Sequence, residues 1–449
     1  MNDLAERIHN HNYRLDPFVR SLLDTDFYKL LMCNFAWQHF PDVEVSFRVK
    51  NRSVKKGRLC DVISADDLMA QLNHVRTLRF TEAELIWLKG NSFYGQTGIF
   101  SGEFIDFLRE LRLPTYELGQ GEGGDFEIIF RGTWPEVMLW EIYALAIINE
   151  ARARAGMKDM SRYELKVLYS NATSKLVGKL KRLRAAGVPG IAEFGTRRRH
   201  GFLWQDFVLE AMTEELGGNF IGTSNALHAM RRGLPAIGTN AHELPMVMTA
   251  LADLRHPGDE EALRAAQFDV LRLWEQTYDG KLLVALPDTY GTTQFLEAAE
   301  DYENIKNWRG FREDSKDPFI GGEEKIAFWK KIGVDPREKL QLFSDGLDVD
   351  QMIALHQQFE GRIQEGYGWG TLATNDFRGC DPRGRNVLDP ISIVCKVHEV
   401  TLDEGPKPRT ISAVKLSDNY EKATGWPDVV QRYRKVFGTK GVTGAPLEV

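Results

Sequence analysis

Cysteine is scarce: Cys33, Cys60, Cys380 and Cys395 are the only four in 449 residues. None forms a C-x-x-C pair or has a histidine at zinc-finger spacing, which argues against a structural metal cluster. Four are also too few for a disulfide framework in a chain long enough to bury a large core. Mostly buried thiols in a reducing cytoplasm are expected. Long apolar runs are missing too. In the most membrane-like stretch, Trp134–Ala155, the longest run is Ile142–Ile148, closed by Glu141 and Asn149. That is far short of the ~20 residues that span a bilayer, so it reads as a buried helix and no membrane partner is expected. Met1–Arg14 is polar without an apolar core, and no signal peptide is expected there. Positive charge is not in excess: 57 Lys and Arg against 64 Asp and Glu give −7. A chain that acidic is not built for non-specific nucleic-acid binding, though a local basic pocket for a small anion remains open. Walker A, G-x-S-x-G and a post-strand G-x-G-x-x-G are all absent. Their absence argues against a P-loop ATPase, an α/β-hydrolase and a Rossmann dehydrogenase.

What is present is alternation. Leu22–Phe40 has helical spacing and Val43–Val49 alternates as a strand. Asp125–Arg131 reads as a strand feeding a helix that carries Pro135 in its first turn. From Gly187 a cycle repeats: a short apolar run, a polar exit, then a helical pattern. The seven exits are Gly195–Arg197, Gly222–Asn225, Gly238–Glu243, Pro287–Tyr290, Arg312–Ser315, Ser344–Gly346 and Gly368–Thr371. Alternating β and α argues for parallel strands. Two folds compete. An open doubly wound sheet would load only the exits at its switch point. A (β/α) barrel opens every strand end onto one face, and all seven exits are loaded, so an α/β barrel short of eight regular strands is expected. Ile391–Val400 and Arg409–Leu416 follow as strands outside it. The length suits two domains. Residues 1–140, joined by 390–449, are expected to form a mixed α+β domain, and 141–389 the barrel.

The exits hold the candidate chemistry. Arg197-Arg198-Arg199-His200 follows a strand. Guanidinium forks suit phosphate or carboxylate, and a solvated helix start is an equal reading. At most one or two of three adjacent arginines can face one ligand. Gly222-Thr223-Ser224-Asn225 and Gly238-Thr239-Asn240-Ala241 precede helices, either as anion sites or as plain N-caps. Gly368 and Gly370 either admit a phosphate to the backbone or make a turn. His242 sits at an exit, and Met at 246 removes an H-E-x-x-H reading. Asp288, Asp314, Asp345 and Asp348 each follow an apolar run. Converging acids would hold Mg²⁺ through water or fix sugar hydroxyls; singly, each would cap a helix.

Taken in order, several pieces carry a resemblance. They are Leu23–Lys29, Glu193–Arg198, Gly222–Asn225, Gly238–Glu243, Asp288–Tyr290, Arg312–Ser315, Phe343–Asp348 and Val414–Asp418. The set resembles the nicotinate phosphoribosyltransferase family. The resemblance implies an irregular α/β barrel, a mixed domain built from both termini, and a cytoplasmic homodimer with active sites at the interface. It implies phosphoribosyl transfer from phosphoribosyl pyrophosphate to nicotinate, with ATP as co-substrate and Mg²⁺ required. It makes His242 the residue phosphorylated by ATP, and Asp288 and Asp314 its catalytic companions. Phe194 and a partner subunit's Tyr28 would enclose the pyridine ring. Arg197, Thr223, Ser224 and Arg312 would bind anionic groups. Ser344, Asp345, Gly368, Gly370 and Thr371 would take the phosphoribosyl part. Asp288, Asp314 and Asp345 would handle Mg²⁺ and pyrophosphate, with the metal ligand left unassigned. The nicotinamide-specific relative carries Asp where this chain has Ser224, which favours the acid as substrate. A non-catalytic homologue would have lost some of His242, Arg197, Arg312 or the acids, and all are present. A sugar-phosphate aldolase would want a Schiff-base lysine, with Lys316 as the near candidate. Lys316 also stands where the family usually has Gly.

Overall fold

The computed structural model describes residues 17–54 and 57–444, so Met1–Arg14 lies outside it. Eleven strands occur among these residues: β1 (Glu44–Asn51), β2 (Tyr116–Gln120), β3 (Phe126–Thr133), β4 (Ile191–Glu193), β5 (Phe220–Thr223), β6 (Val284–Ala285), β7 (Gly310–Glu313), β8 (Leu340–Phe343), β9 (Gln364–Trp369), β10 (Ile393–Leu402) and β11 (Arg409–Ser412). They form two sheets. One is antiparallel, in the order β11-β10-β1-β3-β2. The other is parallel, in the order β5-β4-β9-β8-β7-β6.

The antiparallel sheet joins the two ends of the chain. Phe47 on β1 faces Val397 on β10 and Phe130 on β3. All three are buried. This alternation of inward apolar residues holds the pairing in register, because a slip of one residue would turn every one of them to the other face.

The parallel sheet has helices between its strands, as the β-then-helix cycle predicts. A closed barrel is not seen: among the described residues the six strands pair as an open ladder, which departs from the expected pattern in two further details. Ala236, from the third of the seven units, makes a single bridge to Thr223 instead of a strand. No pairing among the described residues links β6 back to β5. The backbone that would extend the ladder is engaged elsewhere: the Tyr94 hydroxyl donates to Gly238 O at 2.6 Å and accepts from Gly238 N. A second difference is that Arg312 and Glu313 lie inside β7 and not in the loop after it.

The Trp134–Ala155 stretch is a buried helical region, with helices at Trp134–Val137 and Trp140–Met157. The longer helix is buried nearly all round because it lies between the two sheets, touching β1, β10 and the Thr196–Arg198 turn. Its polar residues are therefore paired. Glu150 binds Arg154 at 2.7 Å. Glu141 binds Lys29 at 2.6 Å.

Lys29 sits on the Phe27–His39 helix with no exposure and also pairs with Glu243. Burial opposes its charge, but Glu141 and Glu243 outweigh burial and raise its proton affinity. Three segments distant in sequence thus meet at one ammonium. Removing one member of a buried ionic group strands the others without compensation, at about 3–5 kcal/mol. Lys29→Met is therefore expected to lower unfolding free energy by about that amount in urea titrations.

Candidate functional site

A cavity of about 690 Å³ opens where the exits of the parallel strands face β10 and the segment after it. Most of the residues singled out in the sequence line it: Tyr28, Phe194, Arg197, Ser224, His242, Arg312, Asp314, Ser344, Asp345, Gly368, Gly370 and Thr371.

Two do not. Thr223 is turned away: its hydroxyl donates to Glu193 Oε2 at 2.6 Å, below the cavity wall. Its strand position decides this, since Thr223 and Ser224 are adjacent and point to opposite sides. Asp288 is fully buried behind His242, 3.7 Å from its Nε2. Asp348 is a helix cap and nothing more, accepting from Gln351 N at 2.7 Å. Of the three arginines, Arg197 and Arg198 reach the cavity. Arg199 is buried and grips both oxygens of Asp24, at 2.7 and 2.8 Å. Lys316 is also accounted for: it pairs with Glu324 at 2.5 Å and Thr293 at 2.8 Å, and does not line the cavity.

Tyr28 of the same chain lines the cavity, whereas the resemblance implied a partner subunit's. Phe27 N donates to Ser224 O at 2.6 Å and Ala226 N donates to Thr25 O at 2.9 Å. These bonds pin the start of the Phe27–His39 helix to the end of β5. Phe194 owes its place to a glycine. A Cβ on Gly368 would lie 2.5 Å from the Phe194 ring, so Gly368 makes room for the aromatic. Asp345 has φ +71° and Gly346 follows at +67°. This left-handed pair bends the chain at the cavity wall, where successive backbone N–H groups can favour an anion.

The sequence reading missed one wall. Arg52, at the end of β1, Lys396 on β10, and Lys415 and Lys422 beyond β11 all line the cavity. Lys415 lay within a quoted motif, and the alternation of β10 marks Lys396 as facing opposite to its buried neighbours. Neither signal says what the lysines face. Lys422 pairs with Asp345. Burial, helped by nearby Lys415 and Arg52, pushes the Lys396 ammonium down to about 7.

His242 sits just ahead of the Glu243–Arg255 helix. Its Nδ1 meets Thr289 Oγ1 at 3.0 Å, and its Nε2 meets both Asp314 Oδ2 and Lys415 Nζ at 2.8 Å. Burial, reinforced by Lys415, pushes its pKa down to about 4, against the pull of Asp288 and Asp314. The ring is neutral at pH 7. Burial works to raise Asp314, but the His242 hydrogen bond and Arg312 hold its carboxyl well below the usual range. His242, Asp288 and Asp314 offer ligand atoms within 4.8 Å of one another. The Lys415 ammonium already reaches His242 and lies 3.6 Å from Asp288, so the cluster carries its own cation.

Three buried polar atoms here lack a hydrogen-bond partner: the Tyr28 hydroxyl, Arg312 Nε and Asp288 Oδ1. Such atoms cost about 1–3 kcal/mol each unless something satisfies them. Tyr28 and Arg312 face a cavity that can admit that something.

The chain matches the nicotinate phosphoribosyltransferase (NAPRTase) N-terminal domain over residues 23–149 and the NAPRTase family over 190–440. It is similar to the crystal structure of nicotinate phosphoribosyltransferase from Vibrio cholerae, at 30% identity and TM-score 0.79, covering 96% of each chain. It is also similar to the Porphyromonas gingivalis enzyme, at 26% identity and TM-score 0.80, over 94% of this chain and 100% of that one. With both family regions matched in order across most of its length, the chain belongs to the nicotinate phosphoribosyltransferase family.

Proposed function

We propose that this protein transfers the phosphoribosyl group of phosphoribosyl pyrophosphate to nicotinate. The observation that carries the reading is that one cavity holds Tyr28, Phe194, Arg197 and Ser224 beside His242, Asp314, Asp345 and a wall of lysines. The pyridine nitrogen has a free lone pair, so no general base is required. That nitrogen bonds to ribose C1, the C1–oxygen bond to pyrophosphate breaks, and nicotinate mononucleotide and pyrophosphate leave. The barrier is the charge that builds on the leaving group and the sugar. Preorganised charge lowers it: Arg198, Arg312, Lys396, Lys415 and Lys422 would face the phosphates, and Asp314 and Asp345 the sugar.

Asp314 and Asp345 stand on the cavity wall, and Asp288 Oδ1 has no partner behind them. Hard carboxylate oxygens fit Mg²⁺, and Asp314 and Asp345, the two of these three that reach the cavity, would hold it. Bound there, the ion would take up charge on the pyrophosphate.

ATP enters through His242. Asp314 would first have to release Nε2; with Nδ1–H then donated to Thr289, a neutral ring would turn its Nε2 lone pair to the cavity. Nε2 would bond to the γ-phosphorus while the bond to the β-phosphate oxygen breaks and ADP leaves. Lys415, 2.8 Å from that nitrogen, would neutralise the transferred group, and water would later cleave the N–P bond. The neutral ring supports this step, because a protonated imidazole has no lone pair there. The dimer implied by the resemblance is proposed for assembly alone, since Tyr28 of the same chain lines the cavity. Among the described residues no helix is long and apolar enough to cross a membrane. A cytoplasmic setting suits four free thiols.

Pyrophosphate release from nicotinate and phosphoribosyl pyrophosphate is expected, and it should rise when ATP is added; no release under either condition would refute the reading. With γ-labelled ATP, the wild type is expected to take up an acid-labile label that His242→Ala lacks. By NMR, the His242 ring is expected to titrate near pH 4 and to stay neutral through pH 6. Ser224→Asp sets a carboxylate against the substrate's own, and should move the nicotinate-to-nicotinamide ratio of kcat/KM by about 100-fold toward the amide.

A further inference from the structure

Ser224 is the residue that faces the substrate carboxylate in the reading above, yet its hydroxyl proton is already committed. Ser224 Oγ donates to Asp26 Oδ1 at 2.7 Å. Both residues are buried, at 3% and 1% exposure. In this orientation Ser224 offers only lone pairs to the cavity. Lone pairs accept from an amide N–H; they repel a carboxylate.

The charges around Asp26 sharpen the conflict. Arg197 Nε lies 3.3 Å from Asp26 Oδ2, and the same guanidinium also binds Glu141 Oε1 at 3.2 Å. Lys29 neutralises Glu141 from the other side but is shared with Glu243. Tyr28, next in the helix, is uncharged, because burial raises its phenol. Behind Ser224, burial pushes Glu193 up to about 7. Among the described residues Arg197 is thus the one cation in contact with Asp26, and it already serves two carboxylates. A third, brought by nicotinate, would set three anions around one guanidinium.

We propose that Asp26 is a positioning residue that takes up one proton from solvent as nicotinate binds. The neutral carboxyl then donates its O–H to Ser224 Oγ. The serine hydroxyl turns and gives its proton to the substrate carboxylate. No bond between heavy atoms forms or breaks, and the site gains one anion and one proton together. Nicotinamide needs no such proton, since it can donate its amide N–H to Ser224 as the hydroxyl now lies. Binding of the acid is therefore linked to proton uptake, and binding of the amide is not. Burial already raises the proton affinity of Asp26, against the pull of Arg197, Ser224 and Thr196. The inference rests on the nicotinate reading of the same cavity.

Calorimetric titration of the full chain with nicotinate, in Pipes, Hepes and Tris at matched pH, tests it. The heat is expected to vary with buffer ionisation enthalpy at a slope of about one proton taken up, and the Kd to rise by up to about tenfold per pH unit wherever that uptake occurs. The Kd of nicotinamide is expected to stay level. Asp26→Asn donates an amide N–H to Ser224 without titrating, so the slope should fall to zero. It should also bind nicotinate more tightly than Asp26→Ala does. A zero slope with a level nicotinate Kd in the wild type overturns the proposal by itself, and needs no variant to fold. A slope that survives in Asp26→Asn also overturns it. Nicotinate that neither binds nor reacts at any pH overturns the functional reading and this inference with it. Nicotinate that binds and reacts without proton uptake overturns this inference alone.

Discussion

The docking of Asp24-Thr25-Asp26 onto the ends of β4 and β5 is the constraint on which the rest depends. Asp24 is held by both nitrogens of the Arg199 fork and by Asn225 Nδ2 at 2.8 Å. Asp26 takes Ser224, and the backbones of Phe27 and Ala226 close the joint. A bidentate pair of this kind fixes angle as well as distance. From there the helix direction is set. Tyr28 must enter the cavity, and Lys29 must enter the crevice between Glu141 and Glu243. Loosen the joint, and the antiparallel sheet loses its seat over the parallel strands. The basic wall of Lys396, Lys415 and Lys422 would move with it.

That wall explains how a chain of net charge −7 can serve anionic ligands. Net charge is a sum over the surface, whereas a cavity responds to the few groups that face it at low dielectric. Here the strand exits bring acids and a histidine, and the opposite sheet brings cations. Three of the cations are already engaged. Lys415 touches His242 and Asp288, Lys422 holds Asp345, and Arg197 spans Asp26 and Glu141. With its charges balanced internally, the cavity can exchange one partner for a ligand group without leaving a buried charge bare.

Two departures from the expected barrel have the same origin. Gly238 is held by Tyr94 instead of joining a ladder, and Arg312 lies within a strand instead of after one. In each case the backbone of an exit is shaped by a group from elsewhere in the chain. Arg312 Nη1 donates to Asn240 O at 2.9 Å, which ties the irregular exit to the regular one beside it.

The sequence by itself determined the alternation of strand and helix, the buried Trp140–Met157 helix and the polar loading of the exits. Those follow from spacing along the chain, which local periodicity records. It also marked His242, Arg197, Ser224 and Asp314, because residue type and exit position together limit what such residues do, while Arg312 was marked through the family resemblance. Only the tertiary structure decided that Thr223 turns inward while Ser224 faces the cavity, that Asp288 lies behind His242, and that Arg199 is a brace. It alone set Lys396 and Lys415 opposite the exits, brought Tyr28 in from the same chain, and paired Asp26 with Ser224. These are facts about partners 170 to 200 residues apart, such as Lys415 with His242 and Ser224 with Asp26 at separations of 173 and 198. No spacing rule reaches that far, since what joins such partners is the burial of charge at a junction that exists only once both sheets have folded.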